Sequence, residues 1–163
     1  MIDPDVKLGK NVKIFAPDLV NIFGCEIGDD SFIGPFVEIT RGVIIGKRCL
    51  IESHSFLCTA VILEDEVFVG HGVMFTNDLY PRIGRRVNYR TTLVKKGASI
   101  GTNATIIGGI TIGEYAIIGA GSVITQNVED LAIYAGNPAR KIRQFEDYEV
   151  MLEYMGKKQG SIL

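Results

Sequence analysis

The chain has only two histidines, His54 and His71. Imidazole is the side chain whose ordinary titration falls near neutral pH, so each is a candidate proton acceptor. Just beyond them runs TNDLYPRIGRRVNYRTTL, residues 76–93, with four Arg, two Tyr and two Asn. Guanidinium groups grip phosphate oxygens in pairs, and phenol rings offer faces for stacking. That mixture suits a phosphate-bearing, stackable ligand. Near the end of the chain, GNPAR at Gly136–Arg140 is followed by Lys141 and Arg143, a second basic stretch. Cys25, Cys49 and Cys58 include no CxxC pair and are odd in number, which argues against a disulfide framework or a zinc site.

These residues need a frame, and the sequence supplies one with a period of six. Counting from Ile27 in sixes gives Ile33, Ile39, Ile45, Ile51, Leu57, Leu63, Val69 and Phe75. A second series runs through Val94, Ile100, Ile106, Ile112, Ile118 and Ile124, and a shorter one, Leu8, Ile14 and Val20, precedes both. Four positions after each bulky residue stands a small or β-branched one, such as Ser31, Val37, Cys49, Ser55, Ala98, Ala104 and Ser122. Six fits neither a helix nor a simple alternating strand. It fits a short strand plus a corner, with two side chains of each strand pointing inward by the period-2 rule. Three such units close a triangular coil of 18 residues, and coils stack through parallel strand ladders. The fold expected is all-β, a parallel β-helix over residues 1–143.

The step from Phe75 to Val94 is 19 residues, where six or twelve would keep the beat. A loop insertion near 77–92 therefore leaves the solenoid at a corner, the place where such folds carry function. After the ladder ends near Val128, Phe145, Tyr148, Leu152 and Met155 recur at helical spacing. A helix from about Gln144 to Met155 is expected within a C-terminal segment 144–163.

Stacking also predicts neighbours. Residues 18 apart lie above one another, so His54 and His71 share one corner on successive coils. Beyond the loop that corner continues as Thr102–Asn103 and Ala120–Gly121. A second corner carries Arg41, Thr59 and Asn77, then Gly108–Gly109. Both become small after the loop. A thin chain with amide groups, such as pantetheine, fits along such a corner.

A net charge of −2 gives no reason to expect nucleic acid or an anionic membrane as partner. No apolar run approaches a membrane span of roughly 20 residues. The opening MIDPDVKLGK lacks a signal peptide's apolar core, and three unpaired cysteines fit a reducing, cytoplasmic setting.

GCEIGDDSFIGPFVEI, IESHSFLC, EDEVFVGHGVMFTNDLYPR and YAGNPARKI together resemble the hexapeptide-repeat acyltransferases, and within them the nucleotide-amino-sugar N-acetyltransferases. Enzymes that acetylate the 3-amino group of UDP-2-acetamido-3-amino-2,3-dideoxy-glucuronate, in surface polysaccharide synthesis, are the nearest likeness. Others act on dTDP-3-amino-3,6-dideoxyhexoses. The resemblance implies a left-handed β-helix and a homotrimer with acetyl-CoA between subunits. It places the acceptor sugar by Glu38, Arg41, His54 and the loop residues Asp78, Tyr80 and Arg82. Asn77 falls beside the sugar amine and the thioester. Pantetheine tracks Gly101, Thr102, Gly119 and Ala120. Asn137 and Pro138 border the adenine end, and Lys141 and Arg143 face the CoA phosphates.

Direct attack by a neutral amine needs alignment more than acid–base help. If a base is needed, His71 is the first choice and His54 the second. No metal is assigned. A γ-class carbonic anhydrase shares this architecture but resembles a three-histidine zinc site, against two histidines here. A non-catalytic solenoid and an acetyltransferase for another amine or hydroxyl are the remaining alternatives.

Overall fold

The computed structural model describes residues 1–84 and 88–159. Short parallel strands wind into a three-faced prism. The first face stacks Lys7–Leu8, Glu26–Ile27, Ile44–Ile45, Val61–Leu63, Thr92–Val94 and Thr111–Ile112. The second stacks Lys13–Ile14, Phe32–Ile33, Leu50–Ile51, Phe68–Val69, Ser99–Ile100 and Ile117–Ile118. It is then extended by Ala132–Gly136 and Ala139–Gln144. The third stacks Asn21–Ile22, Glu38–Ile39, Phe56–Leu57, Met74–Phe75, Thr105–Ile106 and Val123–Ile124.

The hexad explains this geometry. Each two-residue strand turns one side chain out and the bulky ladder residue in, although in the first coil Leu8 remains exposed. Ile33, Ile51, Ile100, Ile106 and Ile112 are wholly buried in the prism. Burying each such side chain is worth about 1.5–3 kcal/mol, so the stacked interior dominates stability. The small inward position is also filled. Ser31, Ser55 and Ser122 are buried there, and each hydroxyl donates to a corner carbonyl: Gly46, Gly70 and Gly119 respectively. The glycine after the bulky residue serves stacking. A Cβ on Gly101 would lie 2.6 Å from the backbone nitrogen of Ala120 in the next coil.

Three local expectations change. Val20 occupies the small inward position, and Ile22 is the ladder residue, paired with Ile39. The 3-10 turn Pro17–Leu19 takes up the extra residues at that corner. Secondly, the coil does not simply end at Val128. Ala132–Gly136 pairs in parallel with Ile117–Ile118, and Ala139–Gln144 returns antiparallel along it. This hairpin lacks the hexad period, so the repeat gives no sign of it. Thirdly, the helix is Tyr148–Gln159, since Gln144 still belongs to the hairpin. It buries Met151 rather than Leu152, and Tyr148 lies on Tyr115 with ring centroids 4.3 Å apart. No helix among the described residues is long and apolar enough to cross a membrane.

Candidate active site

The corner between the second and third faces is built one coil at a time by vertical hydrogen bonds. Gly72 N donates to Ser53 O (2.9 Å), Asn103 N to His71 O (2.8 Å) and Gly121 N to Thr102 O (2.8 Å). Ser53, His71, Thr102 and Ala120 therefore share one line, with His54 at the next position of the same corner, as the step of 18 predicts once the loop is allowed for. The line ends under the hairpin. Gly119 N donates to Tyr134 O (2.8 Å), and Gly136 N donates to Ser122 Oγ (3.2 Å). Asn137 and Pro138, joined by a cis peptide, form the exposed hairpin tip directly beyond Ala120. Two kinds of glycine line the way. Gly101 and Gly119 are required by coil stacking. At Gly121 the backbone has φ +68°, and a Cβ would meet nothing within 4 Å, so the surface there is open.

His71 is exposed and oriented. Its Nδ1 lies 2.9 Å from Ser53 Oγ, and its Nε2 lies 3.8 Å from Glu52 Oε2. His54 stacks on Phe36, with centroids 4.8 Å apart. Ser53, Glu52 and Phe36 escaped the sequence reading, although Ser53 and Phe36 stand 18 residues before His71 and His54.

The corner between the third and first faces holds the second cluster. Asn77 Nδ2 donates to Thr59 O (3.3 Å) in the coil below. Gly108 N donates to Thr76 Oγ1 (3.1 Å) from the coil above, and Tyr80 N donates to Asp78 Oδ1 (3.0 Å). Asn77, Asp78, Tyr80, Arg90 and Gly108 surround a cleft of about 210 Å³. Asn77 and Asp78 also border a shallower depression of about 440 Å³ beside Phe56, Cys58 and Thr59. The arginine-rich loop tip at Arg85 and Arg86 falls outside the described residues.

Within one chain the two clusters do not meet, because the strand Met74–Phe75 and its face separate His71 from Asn77. Glu38 lies half-buried on that same face. Arg41 is on the Asn77 corner two coils earlier, but its guanidinium is engaged by Asp5 and, at 3.5 Å, by Asp3. The hydrogen bond from Arg41 holds the Asp5 carboxyl below its usual range. Arg82 turns its Nη1 onto Pro81 O (3.0 Å), outside both clefts. Lys141 sits back from the hairpin tip, with Nζ 2.8 and 2.9 Å from the two Glu129 oxygens; that contact raises its pKa. Arg143 lies over the Tyr154 ring at 4.5 Å.

None of the thiols is activated. Cys25, Cys49 and Cys58 are buried, and burial pushes Cys25 and Cys58 up to about 11. Among the described residues, no three or more His, Cys, Asp or Glu are grouped to hold a metal ion. The arrangement offers a long, narrow backbone-lined corner ending at an oriented imidazole, and a polar cleft one face away.

Comparison with known proteins agrees with the repeat. The family model for the bacterial transferase hexapeptide (six repeats) matches residues 24–59 and 91–126. A stretch of 53 residues is 57% identical to dTDP-3-amino-3,6-dideoxy-alpha-D-galactopyranose 3-N-acetyltransferase of Aneurinibacillus thermoaerophilus, covering 32% of this chain and 28% of that protein. The chain spans about a third of the length of the curated relatives it matches. The hexapeptide-repeat acetyltransferase VCA0836 of Vibrio cholerae, solved with acetyl coenzyme A, is 25% identical. It superposes with a TM-score of 0.69 over 77% of this chain and 73% of that one. A point mutant of AntD, an N-acyltransferase from Bacillus cereus solved with dTDP and coenzyme A, shares the fold. Its TM-score is 0.78 over 94% of this chain and 90% of the other, at 24% identity.

Proposed function

We propose that this chain belongs to the hexapeptide-repeat family and is an acetyl-CoA-dependent N-acetyltransferase for a nucleotide-linked amino sugar. The observation that carries the reading is the single line from the hairpin tip at Asn137–Pro138, past Ala120 and Thr102, to the imidazole of His71. A pantetheine arm laid on Gly101, Thr102, Gly119 and Ala120 brings its thioester down towards His71. Its adenine end then lies at the hairpin. Lys141 and Arg143 are placed for the phosphates only if they exchange their present partners, Glu129 and the Tyr154 ring.

The acceptor is the 3-amino group of the sugar. Its nitrogen lone pair attacks the thioester carbonyl carbon, giving a tetrahedral oxyanion. Collapse breaks the C–S bond and expels the CoA thiolate, while the nitrogen loses a proton to water or His71. Alignment of amine and thioester supplies most of the rate, and backbone N–H groups of the corner are the donors at hand for the oxyanion. The buried, protonated thiols fit direct transfer in a ternary complex rather than an acyl-enzyme. Glu38, His54, Asp78, Tyr80 and Arg82 are assigned to the acceptor, and Asn77 to the reacting centre.

Asn77 and His71 stand on different corners, so we place the complete site between two copies, in a homotrimer working in the cytoplasm. Residues 1–143 then form the catalytic solenoid, and 144–163 its C-terminal cap. The sugar is a 3-amino-glucuronate carried on UDP, or the 3-amino-3,6-dideoxyhexose on dTDP named for the Aneurinibacillus relative. A panel of amino-sugar nucleotides with acetyl-CoA, read by release of free thiol, tests the assignment. Thiol release with none of them, from protein that binds CoA, removes the acceptor class.

A further inference from the structure

The corner that carries His71 begins, in its lower coils, with an aromatic pair. Phe36 is 52% exposed, and its ring lies against His54 at 4.8 Å and 33°. Both residues have a left-handed backbone, φ 59° and 64°. In later coils the same position is held by Gly72, Asn103 and Gly121, which accept that conformation readily. Phenylalanine does not, and its exposed ring gains little from burial. The core does not use the ring either, since Ile33, Val37 and Ile39 fill the prism at this level. A bulky aromatic is therefore held out to solvent at a place where fold and burial both favour a smaller residue.

We propose that Phe36, backed by His54, is the platform on which the base of the nucleotide-linked acceptor stacks. This rests on the acceptor class given above and adds where its base lies. The spacing supports it. Coils step by about 4.8 Å, so the coil of His71 stands about 10 Å above Phe36. A base on the platform lets its ribose and diphosphate run up the corner and delivers the sugar towards the imidazole. The corner has no Lys or Arg below Thr102: its residues are Phe15–Leu19, Gly34–Val37, Glu52–Ser55 and Gly70–Val73. The platform therefore holds its ligand by stacking, and its contribution is insensitive to salt.

Stacking of a base on an aromatic side chain is worth about 1–3 kcal/mol, about 5- to 150-fold in affinity. Phe36→Ala should weaken binding of UMP or TMP, measured by calorimetry, by that factor at both low and high salt. It should raise KM for the nucleotide sugar and leave kcat and KM for acetyl-CoA unchanged, while Phe36→Trp restores binding. Phe36→Gly, which suits the backbone better, should behave as Phe36→Ala while melting no lower than wild type. Wild-type nucleotide binding in Phe36→Ala overturns the platform. So does a change in its mass by light scattering, because the ring then belongs to a contact between copies. If UMP or TMP binding falls in Phe36→Ala, yet wild type acetylates no amino-sugar nucleotide, the platform stands and the transferase reading falls.

Discussion

Ser53 Oγ lies 2.9 Å from Nδ1 of His71, one coil above it. The contact holds the ring through Nδ1 and leaves Nε2 3.8 Å from Glu52 Oε2. A ring held this way is available to take a proton but is not required to. A primary amine that binds already neutral attacks without a base. We expect His71→Ala to retain substantial turnover, with the deficit shrinking as pH rises and more amine is neutral. His54→Ala should raise KM more than it lowers kcat. A pH–rate series on both variants checks this. Complete loss in His71→Ala at every pH, in folded protein, makes the imidazole an obligatory base and points to a hydroxyl acceptor.

Asn77 contributes nothing to the core: it is a corner residue whose amide donates to the Thr59 carbonyl. Its removal should leave the melting temperature near wild type. Loss of one positioned hydrogen-bonding group at a reacting centre costs about 10²-fold or more in rate. Near-normal kinetics in folded Asn77→Ala would move the reacting centre away from the 210 Å³ cleft.

The prism interior makes a separate prediction. Ile106 is wholly buried in the coil that carries Gly108 beside Asn77. Ile106→Ala leaves a cavity that stacked coils cannot close, and should cost about 2–5 kcal/mol in a denaturant titration. A cost well under 1 kcal/mol would mean the coils collapse around the gap.

How much of this can be read from the sequence depends on whether a feature repeats. The ladder residues Ile27 to Phe75 and Val94 to Ile124 follow the period, so the prism, its corners and the stacking of His54 and His71 are legible. Val20 falls out of place because a single 3-10 turn shifts the register, and a one-off insertion leaves no period to count. The hairpin Ala132–Gln144 is hidden for the same reason. Its strand pairing is antiparallel, and the bulky-small alternation stops at Val128. Partnerships set by long polar side chains are least legible. Arg41 with Asp3 and Lys141 with Glu129 lie off the 18-residue step, and Arg41 with Asp5 lies two steps apart, across a coil, where counting between adjacent coils does not look. Ser53 with His71 and Phe36 with His54 lie on that step, and stacking arithmetic applied to every corner residue finds both.

The thiols allow a test of direct transfer. Cys25 and Cys58, pushed up to about 11 by burial, are almost wholly protonated near neutral pH and closed to solvent. Native protein incubated with acetyl-CoA alone should gain no acetyl mass, and thiol alkylation should require unfolding. A stable acetylated cysteine before acceptor is added would replace the ternary complex with a two-step route.

Arg41 separates a structural role from a binding one. Its guanidinium lies across Gly24, where a Cβ would come within 2.6 Å of Nη1, and it ties Asp3 and Asp5 of the N-terminal segment to the corner. The Asp5 carboxyl is held below its ordinary value, chiefly by the hydrogen bond from Arg41. For an acid lowered on folding, the linked stability is fully present above the unfolded pKa of about 3.9. It is lost as pH falls through the folded value. Asp5→Asn should therefore differ from wild type by a constant amount between about pH 5 and 8, and the difference should shrink as pH drops below about 4. Arg41→Ala should show the same acid limb, because it removes the other half of the contact. If that is all Arg41 does, KM for the nucleotide sugar stays at the wild-type value in both variants. A KM that rises in Arg41→Ala but not in Asp5→Asn would return Arg41 to the acceptor site, its contact with Asp5 giving way when substrate arrives.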